Sequence, residues 1–231
     1  MPPPQTPQTP GAGSPPGRSP GGASAAKLAL RDQLLTVRNR RSLAELGSAA
    51  RECAGHLLDT PEVRRAATVA AYVSLGTEPG TGVLLRALRD AGKRVILPVL
   101  LPDDDLDWAV FSGDDALVPA RRGLLEPAGE PLGVEAIATA DVVLVPGLAV
   151  SAEGVRLGRG GGSYDRALAR VPVGTFTCVL LYADEVGRDV PFTPSRRRYG
   201  PQRRPHPVGP WCRSRRRARR RTHRYARLPA P

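Results

Sequence analysis

Aromatic residues make up only 4% of this 231-residue chain, which also has three cysteines, three histidines and one methionine. Cys53, Cys178 and Cys212 share no paired spacing, so neither a disulfide framework nor a cysteine-ligated zinc site is indicated. His56, His206 and His223 form no nucleophile–base constellation with them, which argues against thiol catalysis. Cys53 falls in a helical pattern and Cys178 in a strand pattern, where cysteine behaves as a small apolar residue. No stretch approaches the roughly 20 apolar residues of a membrane span, and the N-terminal stretch has no apolar segment of the kind a secretory signal carries. A cytoplasmic protein with no membrane partner is the expectation. Acidic residues are also missing beyond Asp189.

That last absence decides how the net charge of +12 is read. Residues 196–231 hold 14 of the 34 basic residues and no acid, leaving 20 basic and 22 acidic groups in residues 1–195, a net of −2. Arginines set among prolines without apolar periodicity read as a disordered tail over residues 195–231. At the other end, the first 24 residues contain eight prolines and five glycines, too little apolar surface to order a leader. Met1 is the only methionine, so a start codon placed too far upstream is one reading of that leader. Residues 25–194 remain, enough for one domain with a substantial core.

Within that domain the apolar period alternates between 3.6 and 2. Helices are predicted over 26–41, with Leu30, Leu34 and Val37 near one face, then over 43–58, 82–91 and 163–170. Strands are predicted over 68–74, 94–99, 107–111, 142–145 and 175–182. Strands alternating with helices imply an α/β fold with a mostly parallel sheet and helices on both faces. Ligands on such sheets gather at the carboxyl ends of the strands, where the loops holding Glu78 and residues 156–166 can open onto one crevice. Trp108 reads as structural, a large apolar residue in a short amphipathic strand.

The segment Arg156-Leu157-Gly158-Arg159-Gly160-Gly161-Gly162-Ser163-Tyr164-Asp165-Arg166 carries the chemistry. Glycines let backbone N–H groups approach a polyphosphate, and the helix that Ser163 is expected to cap adds positive potential. Arg156 and Arg159 suit phosphate oxygens, and Asp165 suits an accompanying magnesium. A flexible hinge flanked by solvated arginines is the bland alternative. The run has no lysine for a Walker loop and has Ser163 where a dinucleotide fingerprint needs glycine. Lys27 and Arg31 are four apart on the first helix and can converge on a phosphate, although two cations on a helix face are more often simply solvated. Glu78 sits in the turn Thr77-Glu78-Pro79-Gly80-Thr81, where a solvated acid is the default and Thr81 is expected to cap the next helix. Tyr164 reads equally well as a packing residue.

The glycine run closely resembles the signature of the 5-formyltetrahydrofolate cyclo-ligase family, RLGRGxGYYDR. The resemblance continues, in the family's order, through Lys27-Leu28-Ala29-Leu30-Arg31, residues 71–81, 92–99, Gly123-Leu124-Leu125-Glu126-Pro127 and residues 145–149, and covers about residues 26–194. It implies a three-layer α/β/α single domain acting on ATP and a reduced formyl-folate with Mg²⁺; a monomer with no specific nucleic-acid partner is the further expectation. ATP contacts are implied for residues 27–31 and for Arg156, Leu157, Gly158, Arg159, Gly160, Gly161, Gly162, Ser163 and Tyr164. Val73 and Glu78 are implied for the folate and Asp165 for the metal, with Arg159, Lys27 and Arg31 stabilising the transferring phosphoryl group. The implied reaction is cyclisation of 5-formyltetrahydrofolate to 5,10-methenyltetrahydrofolate with release of ADP and phosphate. Ser163 departs from the family's tyrosine.

After Pro194 the family pattern continues His-Asp-Arg and a final strand, whereas this chain reads Ser195-Arg196-Arg197-Arg198, with Arg196 in place of a metal-binding aspartate. A reading-frame shift explains so abrupt a change better than an evolved tail; if the tail is real, the sheet is expected to lack a strand and the site one metal carboxylate. The alternative function is non-enzymatic nucleic-acid binding through the arginine tail, strong and salt-sensitive but without sequence preference.

Overall fold

The computed structural model describes residues 20–191 and 206–208. Five helices are present among them: α1 (Pro20–Arg38), α2 (Leu43–Asp59), α3 (Pro61–Arg65), α4 (Gly82–Asp90) and α5 (Ser163–Arg170). The strands are β1 (Thr68–Ala70), β2 (Arg94–Leu100), β3 (Leu106–Val110), β4 (Leu117–Pro119), β5 (Leu125–Pro127), β6 (Val142–Pro146), β7 (Ala149–Val150), β8 (Arg156–Leu157), β9 (Phe176–Leu180) and β10 (His206–Val208). Six of them form one sheet in the order β10-β9-β6-β1-β2-β3, parallel except for the antiparallel β2–β3 pair. Two small antiparallel ribbons, β4–β5 and β7–β8, stand apart from it. The expected α/β architecture with a mostly parallel sheet is present.

Strand alternation assigns the two faces of the sheet. Val69, Val95, Leu97, Val142, Leu144, Cys178 and Leu180 join Leu57 of α2 and Leu84, Leu85 and Leu88 of α4 in one cluster. Their neighbours Ala70, Ile96, Val143, Val145 and Val179 turn the other way, onto Ala167 of α5, Ile137 and the fully buried Trp108. Burial on both faces explains why these strands read as continuous apolar runs, and it makes the three layers. Cys53 and Cys178 form no disulfide. A third cluster, Leu34 with Leu148, Ala149, Leu157 and Val190, ties α1 to the β7–β8 ribbon. Burying one such leucine stabilises by roughly 1.5–3 kcal/mol, so Leu34 is the apolar anchor of α1.

Several boundaries differ from expectation. The first helix starts at Pro20, inside the expected leader, and ends at Arg38 rather than at 41. Its buried stripe runs through Leu30, Leu34 and Arg38, while Val37 is 37% exposed, because i+4 spacing and not i+3 from Leu34 faces the ribbon. The strand expected over 68–74 has only three residues, so Val73 lies in the loop beyond it. Ser74 and Thr81 close that loop: the Ser74 N–H donates to Thr81 Oγ1 (2.9 Å) and the Thr81 N–H to Ser74 Oγ (3.1 Å). Thr81 therefore spends its hydroxyl on the loop and makes no side-chain cap on α4. Likewise Gly162, not Ser163, is the N-cap residue of α5; its left-handed backbone (φ 75°) turns the chain into the helix without a side-chain cap.

The stretch expected to hold no strand supplies β10, paired in parallel with Cys178–Leu180 of β9. Three residues are too few for a period to show, and Pro207 is tolerated because the strand lies at the sheet edge. Residues 1–19, where most of the expected leader falls, and Arg196 with the expected tail apart from 206–208 lie outside the described residues.

Candidate active site

The strand order reverses at β1 and β6, and the loops leaving their carboxyl ends, 71–81 and 147–162, border a cavity of about 550 Å³. The cavity brings together Lys27, Arg31, Val73, Glu78 and the run from Arg156 to Asp165. Three residues expected at the nucleotide do not reach it. Leu28 and Ala29 are exposed, and Leu30 packs into the third apolar cluster, since of α1 only Lys27 and Arg31 line the cavity.

Local bonding shows how the glycine run is held. Arg31 Nε donates to the Gly158 carbonyl (2.9 Å), linking α1 to the start of the run. Arg156 folds back beneath it, donating to the Pro146 carbonyl (3.0 Å) and to Asp165 Oδ1 (2.6 Å). A Cβ on Gly158 would stand 2.7 Å from Arg156 Nη1, so a larger residue there would oblige the guanidinium to shift. Arg159, half exposed, donates through Nε to Glu78 Oε1 (3.1 Å), and Glu78 Oε2 accepts the Leu75 N–H (2.9 Å). Glu78 is only 8% exposed, which overturns its default reading as a solvated, unpaired loop acid.

Charge in the cavity is unbalanced. Lys27, Arg31, Arg122, Arg156 and Arg159 line it against Glu78, Glu126 and Asp165. Arg122, Arg156 and Arg159 each have a carboxylate partner, whereas Lys27 and Arg31 have none among the described residues. The surplus cation pair on α1 therefore faces a space suited to a polyanion. Tyr72 and Tyr164 also line the cavity, and neither buried hydroxyl has a hydrogen-bond partner among the described residues. Burial foremost, with Glu78 adding to it, pushes both phenols up, so they stay neutral donors.

Asp165 is 76% exposed at its side chain, with Oδ1 engaged by Arg156. Among the described residues no group of three or more His, Cys, Asp or Glu side chains is placed to hold a metal ion. One exposed carboxylate fits a magnesium that arrives on phosphates and keeps its waters, and does not fit an ion held by protein alone.

Sequence reasoning missed Tyr72, buried at the end of an apolar run that read as core, and Arg122 and Glu126, which the β4–β5 ribbon brings to the cavity from an irregular stretch. It also missed Arg38 and Glu185, a fully buried ion pair just behind the site (Nε–Oε1 2.6 Å). Their signal was faint: an arginine at the i+7 position from Arg31, on a face otherwise apolar.

A cation-lined crevice at the switch point of a mostly parallel, three-layer sheet is where α/β enzymes of this class place their ligands. The chain belongs to the 5-formyltetrahydrofolate cyclo-ligase family, whose model matches residues 23–195. The 5-formyltetrahydrofolate cyclo-ligase of Mycolicibacterium smegmatis is 42% identical over 132 residues, covering 55% of this chain and 68% of that protein. The Escherichia coli K12 enzyme of the same name is 37% identical over 126 residues, 54% of this chain and 68% of that one. The NMR structure of Aquifex aeolicus 5,10-methenyltetrahydrofolate synthetase is similar with a TM-score of 0.60 and 28% identity, over 69% of this chain and 79% of that one. A synthetase from Mycoplasma pneumoniae, at 20% identity and TM-score 0.57, shares the fold over 74% of this chain and 92% of its own. The protein is thus an enzyme of the ligase class. No helix among the described residues is long and apolar enough to cross a membrane.

Proposed function

We propose that this chain cyclises 5-formyltetrahydrofolate to 5,10-methenyltetrahydrofolate at the expense of ATP, releasing ADP and phosphate. The supporting observation is that Lys27 and Arg31, unmatched by any carboxylate among the described residues, line one cavity with Glu78 and the glycine run in a chain of the cyclo-ligase family. The formyl oxygen is a poor leaving group and has to be activated. It attacks the γ-phosphorus, the bond from that phosphorus to the β,γ-bridging oxygen breaks, and ADP departs with the electron pair. N10 of the folate then attacks the carbon of the imidate phosphate and loses its proton, and the C–O bond breaks to release phosphate.

Little covalent chemistry is asked of the protein, whose task is alignment and charge stabilisation. Lys27 and Arg31 meet the triphosphate from α1, while the amides of Gly158–Gly162 and the N-terminus of α5 meet it from below. Arg159 is held by Glu78 through Nε, leaving both Nη groups for the transferring phosphoryl group. Glu78 receives the pterin's amino and ring N–H groups, with Val73 against the ring and the Tyr72 and Tyr164 hydroxyls as nearby donors. Asp165 would be the one protein carboxylate to hold a magnesium ion arriving with ATP, which would supply charge neutralisation at the phosphates. The test is the absorbance of the methenyl product when the purified chain is mixed with 5-formyltetrahydrofolate, ATP and Mg²⁺. Product should form only with ATP present, and its absence at saturating ATP overturns the reading.

A further inference from the structure

Behind the cavity, Arg38 ends α1 with no exposed surface, although it carries a full charge. Its Nε and Nη2 both reach the Glu185 carboxylate (2.6 and 2.8 Å), and Nη2 also donates to the Gly147 carbonyl (2.7 Å). Glu185 in turn accepts the Tyr182 N–H (3.0 Å), and the Tyr182 hydroxyl donates to the Thr77 carbonyl (3.0 Å), next to Glu78. The guanidinium of Arg38 lies 5.5 Å from the centre of the Tyr182 ring, and that of Arg41 lies 4.0 Å from it. One knot therefore joins α1 to the loops that leave β1, β6 and β9.

The same helix face grips the arm between Gly147 and Gly158 at both ends. Arg31 holds the Gly158 carbonyl and Arg38, two turns further on, holds the Gly147 carbonyl. Between them Leu148 N–H donates to the Leu157 carbonyl (2.7 Å), and Arg156 reaches back to the Pro146 carbonyl. Neither Arg38 nor Glu185 lines the cavity. As a source of stability the pair is poor, because two charges lose their water and Arg38 Nη1 is left buried without a partner among the described residues. What directional bonds supply and apolar contacts do not is a fixed angle between three loops.

We infer that Arg38, Glu185 and Tyr182 are positioning residues, a unit that sets the polyphosphate half of the site (Arg156 and the glycine run) against the folate half (Glu78). The inference rests on the proposed function for the identity of its ligands. Arg38 and Glu185 set the glycine arm through Gly147, and Tyr182 passes the same reference to Glu78 through Thr77. Loss of the Tyr182 hydroxyl alone disturbs the folate half, and loss of the ion pair disturbs both.

Two variants test this. Tyr182→Phe keeps the ring beneath both guanidinium groups and removes one hydrogen bond; kcat/KM for 5-formyltetrahydrofolate should fall about tenfold, with KM for ATP and the melting temperature unchanged. The double variant Arg38→Met, Glu185→Leu removes both charges together, so no lone buried ion is left to unfold the chain. It should remain folded and lose about tenfold or more in ATP affinity by calorimetry as well as in folate turnover. If both variants fold and keep wild-type kcat/KM for both substrates, the unit serves the fold alone and the inference is overturned. Should the double variant not fold, the split between folate and ATP parameters in Tyr182→Phe decides. A wild-type chain that binds ATP but never cyclises the folate defeats the proposed reaction instead, and the ATP affinity of the double variant against wild type then judges the positioning role separately.

Discussion

Two cation-rich walls of the cavity region treat their charge in opposite ways. On the rim built from the turn between β2 and β3, Arg122 meets Asp104 (2.6 Å), Arg166 lies 3.9 Å from Asp105, and Arg170 is shared by Asp105 (2.5 Å) and Glu135 (3.1 Å). On α1, Lys27 and Arg31 meet no carboxylate among the described residues, although they line the cavity that Arg122 also reaches. Matched cations near a surface lock elements together and return about 1 kcal/mol or less. Unmatched ones gain no ion-pair energy until an anion arrives, so an excess held in place by helix geometry favours an anion there. Sign of charge does not separate the two walls, since both are cationic; only pairing does.

The largest effect expected from breaking this contrast is at Lys27. It makes no bond to the described protein, so Lys27→Ala should leave the fold intact, yet on the proposed function it would remove a charge-assisted contact to phosphate worth roughly 1.5–3 kcal/mol. Steady-state kinetics should show kcat/KM for ATP about 10- to 100-fold lower, with an unchanged melting temperature. A variant that melts early and works normally would place Lys27 with the structural wall.

Arg170→Ala should do the reverse, lowering stability by about 1 kcal/mol with turnover intact. Its effect depends on pH. The hydrogen bond from Arg170, against a smaller opposing contribution from burial, holds the Asp105 carboxyl below its usual range. A carboxyl depressed in the folded state adds stability above its unfolded pKa of about 3.9 and loses it as pH falls through the folded value. The difference in melting temperature between wild type and Arg170→Ala should therefore be full at pH 7 and shrink as pH falls below about 3.9 and through the lower folded value of Asp105. A difference that stays constant over that range would mean that Arg170 acts through packing.

The smallest effect belongs to Arg86, whose pair with Asp114 (2.6 Å) is about half exposed on both sides. Arg86→Ala should change stability by less than about 0.5 kcal/mol and leave kinetics untouched, setting the baseline against which the other two are read.

Much of this contrast was open to a reader of the chain, and part was not. Helix α5 spans Ser163–Arg170 as its pattern predicts, because glycines stop it on one side and an apolar i, i+4 face drives it. Strands β2 and β6 fall within a residue of expectation, since fully buried parallel strands are runs of Val, Ile and Leu bounded by turn residues. Of the site, Lys27, Arg31, Val73, Glu78 and residues 156–165 all reach the cavity. The ribbons β4–β5 and β7–β8 were not legible, two or three residues being shorter than any period that could announce them. Glu78 read as solvated because a turn sequence says nothing of what packs over it.

By itself, then, the sequence determined the layers and the chemistry available: alternating periods built a parallel sheet between helices, and the glycine run with its two arginines placed a phosphate-suited loop after a buried strand. Which cations stay free for a ligand was decided only in three dimensions. Arg31 and Arg38 occupy one face of one helix, yet Arg38 is neutralised by Glu185, 147 residues away, while Arg31 faces a cavity without a carboxylate of its own. Periodicity reports which face of a helix is inward. It carries no information about what a distant loop brings to meet that face, and for a charged side chain that encounter separates a support from a ligand-binding group.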